Sequence, residues 1–248
     1  FVLAAGRGPR LKPITDTMPK ALVPVGGKPL IEHVMTKLKA SGFTETVVNV
    51  HHFADQIEDW ARNQDIMPVH ISDERKSLLE TGGAVLHARN YLEGCGRFLI
   101  HNVDILSDCD LRWFASQVRE DALATLLVSD RKSTRYLLFN PQTMRLEGWV
   151  NEKTGETRLA GPYVDESKCL RLAFSGIHIM SDQVLGVMET YARTHGLYAA
   201  SDTPRFSVID FYLDMCHLYN IYGVMAENLN LIDVGKMDTL EQAEAALR

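Results

Sequence analysis

The fold is decided by one stretch near the start of the chain, LAAGRGPRLKPITDTMPKALVPV at residues 3–25. Its small residues follow an apolar, strand-like start, and open α/β sheets bind ligands in the crevice beyond the carboxyl ends of their strands. Gly6 and Gly8 can turn their N–H groups inward to form a concavity that holds an anion. Arg10 and Lys20 supply two cations beside it. The stretch therefore predicts a site for a phosphate-bearing ligand.

Two other interpretations of this stretch are less favoured. The dinucleotide fingerprint GxGxxG needs a third glycine, but the chain has Leu11 at that position. Pro9 and Pro13 also prevent a phosphate-binding helix from starting where that motif requires one. A turn-rich loop without a ligand would not need two glycines and two cations together. An NAD-dependent oxidoreductase is accordingly disfavoured.

Outward from this stretch, strand-like and helix-like segments alternate up to about residue 130. The segment at residues 29–40 repeats apolar residues with helical spacing, and the β-branched run at residues 46–50 is typical of a strand. Such alternation predicts an α/β fold with a doubly wound, mostly parallel, Rossmann-like sheet and right-handed crossovers.

The pattern changes between residues 131 and 180, where short strand-like pieces are separated by turns. We expect a small antiparallel lobe there, followed by a return to the core at residues 181–248. The closing helix is expected to begin after Asp238 as its N-cap. The chain is thus predicted to be a single domain, residues 1–248, with residues 1–130 as its core.

Composition excludes several classes of function. The net charge is −6 and no Lys/Arg block is present, which argues against a nucleic-acid partner. No apolar run approaches the roughly 20 residues that a membrane span requires. The four cysteines are widely spaced without a CxxC pair, which favours free thiols in a reducing cytoplasm. Because the first residue is not Met, we expect a few residues to precede it in the full protein.

Residues 3–25 resemble the signature of the sugar-1-phosphate nucleotidyltransferases, L-A-A-G-x-G-x-R-[LM]-x-P-[LI]-T-x-x-x-P-K-x-[LM]-[LV]-P-[IV]. Four later segments resemble further motifs of that family in the same order. These are a base-contacting turn (ETGGA, 80–84), a metal motif at a strand end (HNVD, 101–104), a sugar-pocket segment (FSGI, 174–177) and a second metal motif (IDVG, 232–235). Within the family the chain is most similar to short bacterial enzymes such as N-acetylmuramate 1-phosphate uridylyltransferases. Heptose 1-phosphate and mannose 1-phosphate guanylyltransferases are close alternatives.

The resemblance implies a Mg²⁺-dependent reaction between a nucleoside triphosphate, UTP ahead of GTP, and a sugar 1-phosphate. A sugar-phosphate oxygen would attack the α-phosphorus, and pyrophosphate would leave with formation of a nucleotide sugar for cell-wall or polysaccharide synthesis. A phosphomonoester has a second pKa of about 6, so the nucleophile needs no general base. The site must instead neutralise charge and align the reacting groups.

The same resemblance implies that residues 1–130 are a nucleotide-binding core and that the antiparallel lobe at residues 131–180 binds the sugar. It also assigns roles to individual residues. Arg10 would hold the leaving pyrophosphate, Lys20 would contact the α-phosphate or the sugar phosphate, and Asp104 would complete the catalytic set. Asp104 and Asp233 would share the metal ion. Nucleotide binding is assigned to Leu3, Ala4, Ala5, Gly6, Gly8, Gly82, Gly83 and Asn102, and sugar binding to Ser175, Gly176, Glu152 and Lys153.

Three positions leave alternatives open. Val103 replaces the glycine that the family usually has before its first metal-binding aspartate, which keeps open a catalytically weak regulatory or nucleotide-sugar-binding homologue. Thr154 replaces the proline of the Glu-Lys-Pro sugar-binding motif, so Glu152 and Lys153 could equally form a solvated hairpin tip. Trp149 could line the sugar pocket or pack within the lobe.

Overall fold

A computed structural model describes residues 1–198 and 202–247, and the chain divides into two compact units. Unit 1 comprises Phe1–Leu79, Ile100–Arg112 and Asn230–Arg248. Unit 2 comprises Glu80–Leu99 and Trp113–Leu229. The organisation expected from the sequence, a single domain with boundaries near residues 130 and 180, stays a prediction.

The regular elements of the described residues alternate in type along most of the chain. The strands are β1 (Val2–Leu3), β2 (Pro24–Val25), β3 (Lys28–Pro29), β4 (Thr46–Val50), β5 (Val69–Asp73), β6 (Arg97–Asn102), β7 (Ile105–Ser107), β8 (Ala124–Ser129), β9 (Arg135–Phe139), β10 (Leu146–Asn151), β11 (Glu156–Leu159), β12 (Leu170–Ser181), β13 (Ile221–Met225) and β14 (Leu231–Asp233). The helices are α1 (Leu30–Ala40), α2 (Ala54–Asn63), α3 (Glu80–His87), α4 (Arg89–Leu92), α5 (Leu111–Ser116), α6 (Val184–Thr194), α7 (Val208–Met215) and α8 (Met237–Ala246).

Unit 1 is built on parallel strands. Strand β1 pairs in parallel with β4 on one side, and on the other with the end of β6, where Val2 lies opposite His101. Strand β4 pairs in parallel with β5 along its whole length. All of β4 is buried, as its nearly continuous apolar sequence requires for a strand inside a parallel sheet.

One hydrophobic cluster of unit 1 fixes the start of the chain to its end. Leu11, Val23 and Val25 of the signature stretch pack with Val234 and Leu240 from the last residues. Leu11 directly follows Arg10 in the sequence, and Val234 directly follows Asp233. The packing of this cluster therefore sets where the adjacent polar side chains lie.

Unit 2 combines a parallel pair with an antiparallel sheet. Strand β13 runs parallel to β8, whereas β8 and β9 each pair with β12 in antiparallel fashion, and β10 pairs with both β9 and β11 in the same way. The α/β class predicted from the sequence is confirmed. The predicted N-cap Asp238 is wrong, because α8 begins at Met237 and its capping box is formed by Lys236 and Thr239.

Candidate active site

The backbone N–H groups of the loop after β1 differ in whether they already donate a hydrogen bond to another described residue. The N–H groups of Ala4 and Ala5 both donate to the Oδ1 atom of Asn49, at 2.6 and 3.3 Å. Within residues 1–198 and 202–247, the N–H groups of Gly6 and Gly8 donate to no other group. A β-carbon placed at Gly6 would meet nothing within 4 Å. The part of the loop that is open to a ligand therefore begins at Gly6.

Gly8 is required both by its backbone conformation and by its neighbours. Its φ of +58° lies in the left-handed region, where glycine pays no steric penalty. A β-carbon there would lie 3.1 Å from Cβ of Lys20 and 3.2 Å from Cγ2 of Thr15. The Thr15 hydroxyl also donates to the Gly8 carbonyl at 2.8 Å. Gly8 thus lets the loop lie directly against the stem of Lys20.

Lys20 and Asp104 form an ion pair. Lys20 is only 7% exposed, and the Asp104 side chain retains 24% of its exposure. A lysine buried to this extent needs a nearby carboxylate, because desolvating an isolated ammonium is costly. The structure thus brings together two residues that lie far apart in the sequence and to which the family resemblance assigns catalytic roles.

Arg10 and Asp233 approach each other beside Gly235. A β-carbon built on Gly235 would lie 2.8 Å from Oδ1 of Asp233 and 2.9 Å from Nη2 of Arg10. Strand β14 carries Asp233 and pairs in antiparallel fashion with β7, where Asp233 lies opposite Ile105. Just beyond this pair the N–H of Val234 donates to the Asp104 carbonyl at 2.8 Å. The two candidate metal ligands therefore lie on adjacent segments of unit 1.

The donors available here fit a magnesium ion with an incomplete protein shell. Carboxylate oxygens are hard ligands of the kind that Mg²⁺ prefers, and the ion commonly binds one or two carboxylates together with waters and substrate phosphates. The described residues contain no group of three or more His, Cys, Asp or Glu side chains that could enclose a metal. Asp104 and Asp233 would therefore provide a partial shell that leaves positions for phosphate oxygens.

The strand that leads to Asp104 is buried. His101 is 1% exposed, and its Nδ1–H donates to the Asn102 carbonyl at 2.8 Å. Burial lowers the pKa of His101 to about 4, so the imidazole is neutral near pH 7. Val103 is 3% exposed and its N–H donates to the Leu3 carbonyl. The Val103 side chain is thus packed in the interior of unit 1.

In unit 2 the predicted base-contacting turn forms the start of α3. The N–H groups of Gly82 and Gly83 donate to the Phe206 carbonyl, at 2.9 and 3.2 Å. A β-carbon at Gly82 would lie 2.4 Å from the Phe206 ring. Because both N–H groups already have an acceptor, contact with a base would have to use the Cα edges of these glycines.

The predicted sugar-pocket segment forms an irregularity in β12. Phe174 pairs with Val128 and His178 with Leu126, so four steps along β12 match two along β8. Gly176 has a φ of +72°, as bulges often require. Ser175 is fully buried, and its hydroxyl has no hydrogen-bond partner among the described residues.

A cavity of about 500 Å³ lies in unit 2 next to this segment. Phe174, Trp149 and Asn151 contribute to its lining. Glu152 and Lys153 are instead exposed in the turn between β10 and β11, where Glu152 forms an ion pair with Arg171.

Comparisons with known proteins identify the family. A family model described as "Nucleotidyl transferase" matches residues 1–138, more than half of the chain. An N-acetylmuramate α-1-phosphate uridylyltransferase of Caulobacter vibrioides is 34% identical over 193 residues, which covers 74% of this chain and 75% of that protein. The chain belongs to the nucleotidyl transferase family. The family predicted from residues 3–25 is thereby confirmed.

Other relatives of this transferase match shorter parts or share the fold alone. The enzyme of the same description from Neisseria meningitidis serogroup B is 45% identical over 112 residues, covering 44% of this chain and 48% of that protein. The crystal structure of HddC from Yersinia pseudotuberculosis complexed with GMP-PN has a TM-score of 0.72 at 22% identity, covering 100% and 98% of the two chains. A UDP-glucose pyrophosphorylase from Acinetobacter baumanii has a TM-score of 0.76 at 16% identity, covering 99% and 91%.

Three residues of the transferase were not identified from its sequence as candidates for the site. Gly235 belongs to the second metal motif, but the motif alone does not show that its missing β-carbon makes room for Arg10. Asn49 was visible as the single amide residue in the otherwise β-branched run TVVNV of β4. Glu74 carried no comparable signal, because it lies among charged residues that are usually exposed on a surface.

Proposed function

We propose that the chain catalyses the Mg²⁺-dependent transfer of a nucleotidyl group from a nucleoside triphosphate to a sugar 1-phosphate. The observation that carries the proposal is the convergence of Arg10, Lys20, Asp104 and Asp233 in unit 1. Two cations and two carboxylates from separate segments provide the groups that phosphoryl transfer needs, namely charge neutralisation and alignment. The products are a nucleotide sugar and pyrophosphate.

The reaction is an in-line displacement at the α-phosphorus. A bond forms between a sugar-phosphate oxygen and the α-phosphorus, and the bond from that phosphorus to the bridging oxygen of pyrophosphate breaks. Arg10 presents a guanidinium that can contact the departing pyrophosphate through two parallel hydrogen bonds. The Lys20 ammonium acts as a compact charge on the α-phosphate or the sugar phosphate. The open N–H groups from Gly6 onward add donors for phosphate oxygens.

Asp104 and Asp233 would hold the Mg²⁺ ion. When bound there, the ion would neutralise phosphate charge and help to orient the triphosphate. Asp104 contacts Lys20 through Oδ2, and we propose that its other carboxylate oxygen binds the metal ion. Oδ1 of Asp233 lies near Arg10. In this proposal the Asp233 carboxylate therefore lies next to both the metal ion and the departing pyrophosphate.

The names of similar proteins support UTP as the preferred nucleotide, with GTP next. Relatives in Caulobacter vibrioides, Neisseria meningitidis and Synechocystis are all described as uridylyltransferases. N-Acetylmuramate 1-phosphate is accordingly the first sugar to test. The cavity lined by Phe174, Trp149 and Asn151 is the part of unit 2 that we assign to the sugar, together with Ser175 and Gly176 next to it.

We also propose that the enzyme works in the cytoplasm and supplies a cell-wall or polysaccharide precursor. All four cysteines are free thiols, in keeping with a reducing compartment. Among the described helices, none is long and apolar enough to cross a membrane.

The regulatory homologue is the less favoured function. It rests on Val103, whose side chain could narrow the approach to the nucleotide or shift Asp104. Burial of that side chain within unit 1 argues against the first of these effects.

The test is pyrophosphate release with and without Mg²⁺, crossing ATP, CTP, GTP, UTP and dTTP with N-acetylmuramate, mannose, glucose and heptose 1-phosphates. We expect release with UTP and one sugar, and no release without the metal. Asp233→Asn should abolish this activity, whereas Asp238→Asn, five residues later on α8, should leave it unchanged. Absence of release in every combination would refute the transferase activity. Near-normal turnover by Asp233→Asn would refute the metal site alone.

A further inference from the structure

We propose that Asn49 and Glu74 are positioning residues that fix the nucleotide loop from beneath. This inference rests on the proposed function, because it gives the loop after β1 its role as nucleotide site. Both side chains are buried, Asn49 at 3% and Glu74 at 2% exposure. Neither can touch substrate from that depth, so any effect on the reaction has to pass through the residues that they hold.

The hydrogen bonds run from the loop to a segment far along the chain. Oδ1 of Asn49 accepts the N–H groups of Ala4 and Ala5, and Nδ2 of Asn49 donates to Oε1 of Glu74 at 2.8 Å. Oε2 of Glu74 accepts the N–H of Leu79 at 3.2 Å. Leu79 directly precedes the turn ETGGA, to which the resemblance assigns contact with the base.

The charge of Glu74 determines which way the Asn49 amide points. An ionised carboxylate only accepts hydrogen bonds, whereas an asparagine amide has one accepting and one donating end. Facing Glu74, the amide must direct its NH₂ group toward the carboxylate and its oxygen toward the loop. The oxygen then occupies the N–H groups of Ala4 and Ala5. Those of Gly6 and Gly8 are left for the phosphates, with the loop already in position.

This logic predicts that exchanging the two functional groups preserves each of these four hydrogen bonds. In Asn49→Asp, two accepting oxygens face each other. In Glu74→Gln, the two amides cannot satisfy all of the N–H donors. Whichever way they are turned, one NH₂ group faces either the other NH₂ group or a backbone N–H of Ala4, Ala5 or Leu79. In the double variant, Asp at position 49 accepts from Ala4, Ala5 and the new Gln amide, while the Gln oxygen accepts from Leu79. The double variant also has the same net charge as the wild type.

A matched control exists in unit 2. Oδ1 of Asn140 accepts the N–H groups of Gln142 and Thr143, at 3.0 and 3.1 Å, and its Nδ2 donates to Glu147 at 3.0 Å. Asn140→Asp therefore breaks the same kind of interaction at a hairpin of the lobe. It reports what the loss of such an interaction does to stability alone.

The experiment measures KM for the nucleotide, KM for the sugar 1-phosphate and the thermal midpoint of the four variants in the full chain. We expect each single variant at positions 49 and 74 to raise the nucleotide KM about tenfold, as for the loss of one hydrogen bond to a charged group. The sugar KM should not change, and the double variant should recover the wild-type nucleotide KM. Asn140→Asp should lower the thermal midpoint without changing either KM.

The inference is overturned if the single variants keep the wild-type nucleotide KM, or if the double variant does not recover it. If Asn49→Asp does not fold, Asn49→Ser removes the amide without adding a charge and must show the same rise in KM. Calorimetric binding of UTP and GTP separates this inference from the proposed function. A wild type that binds nucleotide without turnover refutes the function, whereas variants that bind it as tightly as the wild type refute the positioning role.

Discussion

A methyl group at Gly235 would occupy the space between two side chains that we assign to the reaction. In Gly235→Ala the new β-carbon would start 2.8 Å from Oδ1 of Asp233 and 2.9 Å from Nη2 of Arg10. The φ of Gly235 lies outside the left-handed region, so alanine meets no backbone strain there. The substitution therefore acts only through the space that it fills.

The size of the effect follows from how far the two side chains must move. Comfortable contacts lie near 3.5 Å or beyond, so each atom has to retreat by on the order of 0.5–1 Å. Both atoms are at the far ends of flexible side chains, and we expect the free energy of unfolding to change by no more than about 1 kcal/mol. A misplacement of about 1 Å can cost about 100-fold in rate. We therefore expect kcat/KM to fall about 100-fold, equivalent to about 2.7 kcal/mol.

The assay compares pyrophosphate release and denaturant unfolding in Gly235→Ala and in Gly186→Ala. Gly186 lies exposed in α6, and a β-carbon there would meet nothing within 4 Å. Its replacement should stabilise the helix by about 0.5–1 kcal/mol and leave turnover unchanged. Wild-type turnover by Gly235→Ala would show that the positions of Arg10 and Asp233 do not govern the rate. A large loss of stability would show that these side chains cannot move aside.

Three further predictions concern single residues. Asp104→Asn should abolish Mg²⁺-dependent turnover and lower the free energy of unfolding by about 1–3 kcal/mol, because Lys20 loses its charged partner; unchanged stability in urea would contradict this. Gly82→Ala should cost about 1–3 kcal/mol, since its β-carbon would lie 2.4 Å from the Phe206 ring, and urea unfolding measures it. His101 has a pKa of about 4 when folded and 6.5 as its ordinary value, so the unfolded state binds more protons between these limits. Stability should thus fall by about 3 kcal/mol as the pH drops from 6.5 to 4, and His101→Asn should remove that slope in pH-dependent unfolding.

The fold could be predicted where local pattern and tertiary environment agree. The run TVVNV predicts a strand, and β4 has the same bounds, because a buried parallel strand selects β-branched and apolar residues at nearly every position. Strand β11, with the sequence ETRL, was missed because it has no apolar alternation. It is formed by its pairing with β10, and no local signal reports such a pairing.

The candidate site could be predicted only as far as a motif names its residues. The signature identified Arg10 and Lys20, and the two metal motifs identified Asp104 and Asp233. The structure pairs Lys20 with Asp104 and places Arg10 beside Asp233 on adjacent segments of unit 1, while the catalytic roles stay predictions. The support beneath the loop could not be read from the sequence. Its elements, Asn49 and Glu74, act through hydrogen bonds between segments that are distant along the chain.

The charges of the cluster explain why an added cation is needed for the proposed reaction. Arg10 and Lys20 offset Asp104 and Asp233, so the four side chains together carry no net charge. The substrates bring several negative charges, and a neutral cluster cannot offset them by itself. Lys20 is moreover engaged with Asp104, so its full charge reaches a phosphate only when another cation shares that carboxylate. The balance of charge in unit 1 is thus a second reason to propose a role for Mg²⁺, separate from the resemblance to other enzymes.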